Sequence, residues 1–217
     1  MKINKLKIDI VSDVVCPWCV IGYKNLQKAQ KTLKKTIKLD LHWKPFELHP
    51  EIPKEGVYRE DYFKNKFNQL GNMRSTSEHI SQLGNNLGFN FNFKKNEILP
   101  NTFLAHRLIW YAGQKEKQNE MSEKLFEAYF TYGENIGLKE NLIRLSVSIG
   151  MNNREIRNFL DSNKGVEEVL HQENLIRERN ISGVPTYIIN DKYLLQGGQE
   201  AETIVSFLQR IVEKDLN

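Results

Sequence analysis

Cys16 and Cys19, the only two cysteines of the chain, stand three positions apart in SDVVCPWCVIG. A thiol attacks as thiolate, and a helix N-terminus lowers the cost of that charge through its free N–H groups and dipole. Two thiols one helical turn apart suit two-step exchange. The first opens a substrate disulfide, and the second attacks the resulting mixed disulfide and releases the substrate. On this reading Cys16 is the exposed attacking thiol and Cys19 the more shielded resolving thiol. Three plainer readings compete. A structural zinc ion needs about four ligands, and His42 and His49 lack ligand spacing; no metal is expected. A disulfide across so short a loop removes little chain entropy and is unusual in a reducing compartment. An inert buried pair is the third.

The chemistry requires a strand that delivers the pair to a helix start. Leu6, Ile8 and Ile10 alternate with Lys7, Asp9 and Val11, which predicts a first strand running into the cysteines. Pro17 suits the first turn of a helix, and Val20, Leu26, Ala29 and Leu33 recur at helical spacing behind it. In IKLDLHWK, Ile37, Leu39, Leu41 and Trp43 face one way and the polar residues the other, so a β-α-β unit spans Leu6 to Lys44.

From about Tyr58 to Arg179 the pattern is helical. Ser75-x-x-Glu78 and Asn152-x-x-Glu155 resemble helix starts, and LPNTFLAHRLIWYA and EKLFEAYF carry apolar helical faces. NNLGFNFNFKKNEILP reads as an irregular connection, its alternating phenylalanines set among Gly and Asn. PTYIIN and KYLLQ predict an antiparallel hairpin around Asn190 and Asp191. After Gly197 and Gly198, a last helix places Ala201, Ile204, Val205, Leu208, Ile211 and Val212 on one face. The order β-α-β, helices, β-β-α suits an α/β thioredoxin-like core, residues 1–57 and 180–217, interrupted by an all-helical insertion, 58–179, whose last helix could pack on the core.

Composition narrows the function further. A chain of 217 residues with 40% hydrophobic and 27% charged residues buries a substantial core without disulfides or metal. Its charge of +4 comes from 31 basic and 27 acidic residues spread along the chain, which argues against a nucleic-acid partner. No apolar run approaches a membrane span. Asp9 and Asp13 interrupt the apolar start before a signal-peptide core could form, so a cytoplasmic product is expected. No cofactor is called for, and the composition leaves the oligomeric state open.

In order along the chain, SDVVCPWCVIG, LHWKPFELHPEIP, LPNTFLAHRLIWYA, LFEAYFTYGENIG and ISGVPTYIIN resemble the FrnE-like branch of the DsbA family. The resemblance implies thiol–disulfide oxidoreductase activity, with Cys16 and Cys19 as the redox pair and Pro185 as the cis-proline of the GVP turn. The partners would be proteins carrying thiols or disulfides, and glutathione is a further candidate. Some DsbA relatives have a histidine between the cysteines; here Pro17 and Trp18 occupy those places, so strong oxidising power is not carried over. Hydroxychromene-carboxylate isomerases and kappa-class glutathione transferases share the architecture. They typically use a serine near the position of Cys16, and the intact CPWC argues against them.

Other residues are candidates by their own chemistry. A tight turn at Pro185 would leave the backbone of Val184 free to pair with an extended substrate. Pro17 and Trp18 would contact substrate, or Trp18 would pack as a surface aromatic. Asp13 and Glu47 are candidate proton relays to Cys19 if buried; the ordinary expectation for both is a solvated carboxylate. His106 is expected to pack or cap within the insertion rather than do chemistry. A cysteine hydrolase lacks a histidine clearly paired with the thiol. A non-enzymatic chaperone, binding extended chains at Val184 and Pro185, would leave the thiols incidental.

Overall fold

Strand β1 (Asn4–Ser12) lies at the centre of the main sheet, parallel to β2 (Ile37–Pro45) with Ile10 opposite Trp43. The computed structural model describes residues 3–67 and 70–215. Helix α1 (Pro17–Leu33) connects these strands. Two elements from the far end of the chain complete the sheet: β5 (Thr186–Ile189), antiparallel to β1 with Ile10 opposite Tyr187, and β6 (Tyr193–Gln196) at the edge. The order is β2-β1-β5-β6. Asn190 and Asp191 take positive φ, 50° and 58°, in a tight turn closed by the Lys192 amide on the Ile189 carbonyl at 3.0 Å, and strand pairing starts at Ile189 opposite Tyr193.

Between β2 and β5 the chain forms α2 (Arg59–Phe67), α3 (Leu70–Asn86), α4 (Phe103–Gly113), α5 (Gln118–Phe126), α6 (Lys139–Ser148), α7 (Asn153–Asp161) and α8 (Val166–Glu178). The two-residue strands β3 (Val57–Tyr58) and β4 (Ile98–Leu99) form a separate small ladder, and α9 (Ala201–Asp215) closes the chain. Asn152 caps α7 as expected, its side chain accepting from the Glu155 amide. The matching expectation at Ser75 fails: α3 already runs from Leu70, so Ser75 lies inside the helix. The stretch from Asn85 to Pro100 is mostly irregular, held by Phe91 stacked on Phe93 at 5.3 Å and edge-on to Phe130 at 5.2 Å. After the end of α3 at Asn86 its regular pieces are a single 3-10 turn at Phe93–Lys95 and β4, both too short for periodicity to reveal.

Strand β1 is covered on both faces. Leu6, Ile8 and Ile10 belong to the larger core, whereas Val11 joins Phe46, Ile176, Ile181 and Ile188 in a second cluster. Ile176 comes from α8, so this helix packs on the sheet. Helix α5 is tied to β2, where the Trp43 amide and indole donate to Gln118 and Asn119 at 2.9 and 2.7 Å. It is also tied to α1, where the Tyr23 hydroxyl donates to Glu123 at 2.8 Å. On α4, Arg107 donates to the carbonyls of Ser162 and Lys164 at the end of α7. Its neighbour His106 turns instead towards the thiol-bearing turn.

Candidate active site

Cys16 is the N-cap of α1, with extended backbone (φ −90°, ψ 112°), and Pro17 opens the helix at the position where a missing N–H costs nothing. A tight turn leads into it: the Cys16 amide donates to the Asp13 carbonyl, and the Cys19 amide to the Cys16 carbonyl, both at 3.1 Å. Both thiols are free, so the pair is a dithiol. Cys19 is sealed, 1% exposed. Burial pushes its thiol well above the ordinary range, reinforced by Cys16 as hydrogen-bond partner and charge, with the Ser12 side chain and Asp13 backbone acting the other way.

The expectation of an exposed Cys16 needs correction, because it is only 4% exposed. Its Sγ lies 3.8 Å from the Val184 carbonyl oxygen, so the turn before β5 covers it. The exposed member of the motif is Trp18, 37% accessible and tilted against His79 at 6.5 Å.

The Val184–Pro185 bond is cis. Packing brings this turn against α1 at Gly22, where an added Cβ would lie 2.4 Å from the Tyr187 hydroxyl and 3.0 Å from Pro185 Cγ. Tyr187 is fully buried, and its hydroxyl has no hydrogen-bond partner among the described residues. Burial, then the nearby charges of Cys19 and Cys16, raise this phenol well above its ordinary value, so it keeps its proton. In the sequence Tyr187 carries only a strand signal; its pairing with Ile10 and its contact with α1 at Gly22 bring it near the thiols.

Asp13 and Glu47 are not solvated carboxylates: they are 0% and 6% exposed. Asp13 accepts from the amides of Leu48 at 2.8 Å and Val15 at 3.4 Å, and His106 Nε2 lies 3.4 Å from Asp13 Oδ1. His106 therefore reaches out of the helical segment to the thiol turn. Burial works to lower its pKa, but the carboxylates of Asp13, Glu173 and Glu47 outweigh burial and the net shift is upward. Glu47 is pushed up to about 7, first by burial and then by the charge of Glu173. The Glu47 amide donates to Glu173 at 2.7 Å, and Arg177 donates to the Glu47 carbonyl at 3.1 Å. Glu173 and Arg177, both on α8, carried no sequence signal beyond helical polarity. The backbone of Asp13 adjoins Cys19, while its carboxylate faces the Leu48 and Val15 amides and His106; Glu47 acts on the same group through Asp13 and His106.

A family model, that of the DSBA-like thioredoxin domain, matches residues 7–209, the span that holds the thiol pair, the Pro185 turn and the buried carboxylates. The chain belongs to this family. It is similar to the "Uncharacterized protein YwbO" of Bacillus subtilis (strain 168), 26% identical over 186 residues that cover 85% of this chain and 86% of that protein. Among solved structures it resembles a "probable DsbA oxidoreductase" from Streptomyces coelicolor, with TM-score 0.87, 21% identity and coverage of 94% of this chain and 89% of that one. It also resembles the cytosolic disulfide reductase DsbM from Pseudomonas aeruginosa with GSH, with TM-score 0.68, 14% identity and coverage of 95% and 99%. These structural likenesses establish a shared fold. Among the described residues, no helix is long and apolar enough to cross a membrane.

Proposed function

We propose that this DsbA-like thiol–disulfide oxidoreductase acts on polypeptide disulfides in the cytoplasm by ordered exchange at Cys16 and Cys19. The Cys16 thiolate attacks one sulfur of the substrate. That S–S bond breaks, a mixed disulfide forms, and the other substrate sulfur leaves as thiolate and takes up a proton. Cys19 then gives up its proton and attacks Cys16 Sγ, releasing the second substrate thiol and leaving the Cys16–Cys19 disulfide. Two electrons pass to the substrate. A dithiol, or two molecules of glutathione, must return them. That DsbM was solved with GSH supports glutathione as a candidate.

The observation that carries this reading is Cys16 at the α1 N-cap with its sulfur turned to the Val184 carbonyl. The helix start favours the thiolate, and the backbone beside Pro185 is where an extended substrate would pair, bringing its sulfur to Cys16. Pro17 and Trp18 form the adjoining contact surface. Asp13, whose backbone borders Cys19 and whose carboxylate is held beside His106 by the Leu48 and Val15 amides, is the acceptor for the Cys19 proton, with Glu47 behind it. In this organisation residues 1–57 and 180–217 carry the thiols and the substrate-pairing turn, and 58–179 supplies the wall that faces them. The intact pair of thiols separates this reading from glutathione-dependent isomerisation, which needs no resolving thiol.

Insulin reduction in a glutathione buffer tests the reading. Wild-type protein should accelerate precipitation of the insulin B chain, and Cys16→Ser should abolish the acceleration. Equal rates with and without enzyme across buffers from reducing to oxidising would overturn it.

A further inference from the structure

Arg59 lies half-buried in the wall of a cavity of about 360 Å³ beside the thiol turn. Val15 and Pro17, the chain neighbours of Cys16, line it together with Phe63, Ile80 and Phe93. A space of this volume with apolar walls and a few polar groups is the form a binding pocket takes. Its walls include both chain neighbours of Cys16, so an occupant lies against the turn that carries the attacking thiol.

The guanidinium of Arg59 is held over the rings of Phe63 and Phe93, at 5.2 and 5.6 Å. Among the described residues no carboxylate forms an ion pair with it. His49, which also lines the cavity, has its pKa lowered by burial and by the charge of Lys66, and so adds no second cation at neutral pH. A guanidinium fixed on aromatic faces, in an apolar wall and without an internal partner, is placed to receive a carboxylate from outside. Across Arg59, Ser77 and Phe93 the cavity adjoins a wider groove of about 1380 Å³. A polypeptide can continue along that groove, whereas a small disulfide needs no such extension.

We propose that this cavity is a specificity pocket for polypeptide substrates in which a bulky apolar residue and an acidic residue flank the reacting cysteine. The apolar side chain fills the cavity and the carboxylate pairs with Arg59. The proposal rests on the oxidoreductase reading and names its substrate class.

The test uses reduced full-length protein and four peptides, each with one cysteine joined by a disulfide to a chromophoric thiol. The flanking pairs are phenylalanine with glutamate, phenylalanine with glutamine, glycine with glutamate, and glycine with glutamine. Cys16 attacks the peptide sulfur and the chromophoric thiolate leaves, so a single turnover needs no added reductant. The phenylalanine–glutamate peptide should react about tenfold faster than either singly changed peptide, the size of effect that loss of one charge-assisted contact or of one buried apolar side chain gives. Arg59→Gln should bring the glutamate-to-glutamine ratio to about one, and with Arg59→Glu the glutamine peptides should react faster than the glutamate ones. Four equal rates with wild-type protein, or an unchanged ratio in Arg59→Gln, would overturn the pocket while leaving the thiol chemistry standing. A glutathione mixed disulfide of the same chromophore reacting faster than every peptide would reassign the pocket to small thiols. Release from none of the substrates would remove the oxidoreductase reading and the pocket with it.

Discussion

His106 Nε2 stands 3.4 Å from Asp13 Oδ1, joining the middle of α4 to the turn that carries Cys16. Both side chains are buried, and the carboxylates of Glu47 and Glu173 complete a closed group of charges behind the thiols. Removing one partner from such a pair leaves the other charged and uncompensated, which typically costs about 3–5 kcal/mol. His106→Gln and Asp13→Asn should each destabilise the fold by about that order, and the double variant by clearly less than the sum. Urea unfolding of the four proteins measures the coupling; additive losses would show that the two groups do not interact.

Stability should fall as pH rises through the titration of Glu47. Its pKa moves from the usual 4.5 up to about 7 in the fold, so the folded state holds its proton more tightly than the unfolded chain. That contribution is complete below pH 4.5 and lost as pH passes about 7. His106, also raised, acts in the same direction. Glu47→Gln should therefore gain on wild type between these limits, by roughly 1–2 kcal/mol after allowing for screening. Unfolding curves at pH 5 and pH 8 decide it, and a constant difference would count against the buried carboxylate.

Cys19→Ser should keep the attacking thiol and lose the one that resolves the mixed disulfide. Substrates should accumulate on Cys16 and be released by added reductant, while Cys16→Ser should trap nothing. Acid-quenched cells run on non-reducing gels show the adducts. Equal adducts in both variants would reject the ordered roles.

Alkylation should distinguish the thiols in the same order. Cys19 is sealed and its thiol is pushed well up by burial, whereas Cys16 caps α1. Mass spectrometry of reduced protein treated with a small electrophile at neutral pH should find modification first on Cys16; faster modification of Cys19 would reverse the assignment.

Gly22→Ala should lose stability although alanine favours helices, because its Cβ would collide with the Tyr187 hydroxyl at 2.4 Å. A loss of about 1–3 kcal/mol is expected from overpacking. Tyr187→Phe removes the hydroxyl that has no partner among the described residues, and should cost little or stabilise. Combined with Gly22→Ala it should recover part of the loss, as thermal unfolding would show.

The sequence alone determined what local pattern can carry. Alternation in β1 and β2, the helical face behind Cys16, the Asn190–Asp191 corner and the GVPT turn all report short-range geometry, and the resemblance of several ordered segments pointed to the family. The thiol pair was legible because a helix start acts on its own first residues. Tertiary structure decided the rest. Periodicity shows which side of a strand or helix is apolar, but not which distant element covers the other side. Nothing near Val11 or Asp9 shows that α8 packs over that face of the sheet, nor does any local signal around His106 show that it turns to Asp13 rather than staying within its own helices. The covering of Cys16 by Val184, across 168 positions of chain, belongs to the same class. Burial, and the pKa shifts that follow from it, depend on contacts between segments far apart in sequence, and those contacts exist only once the chain has folded.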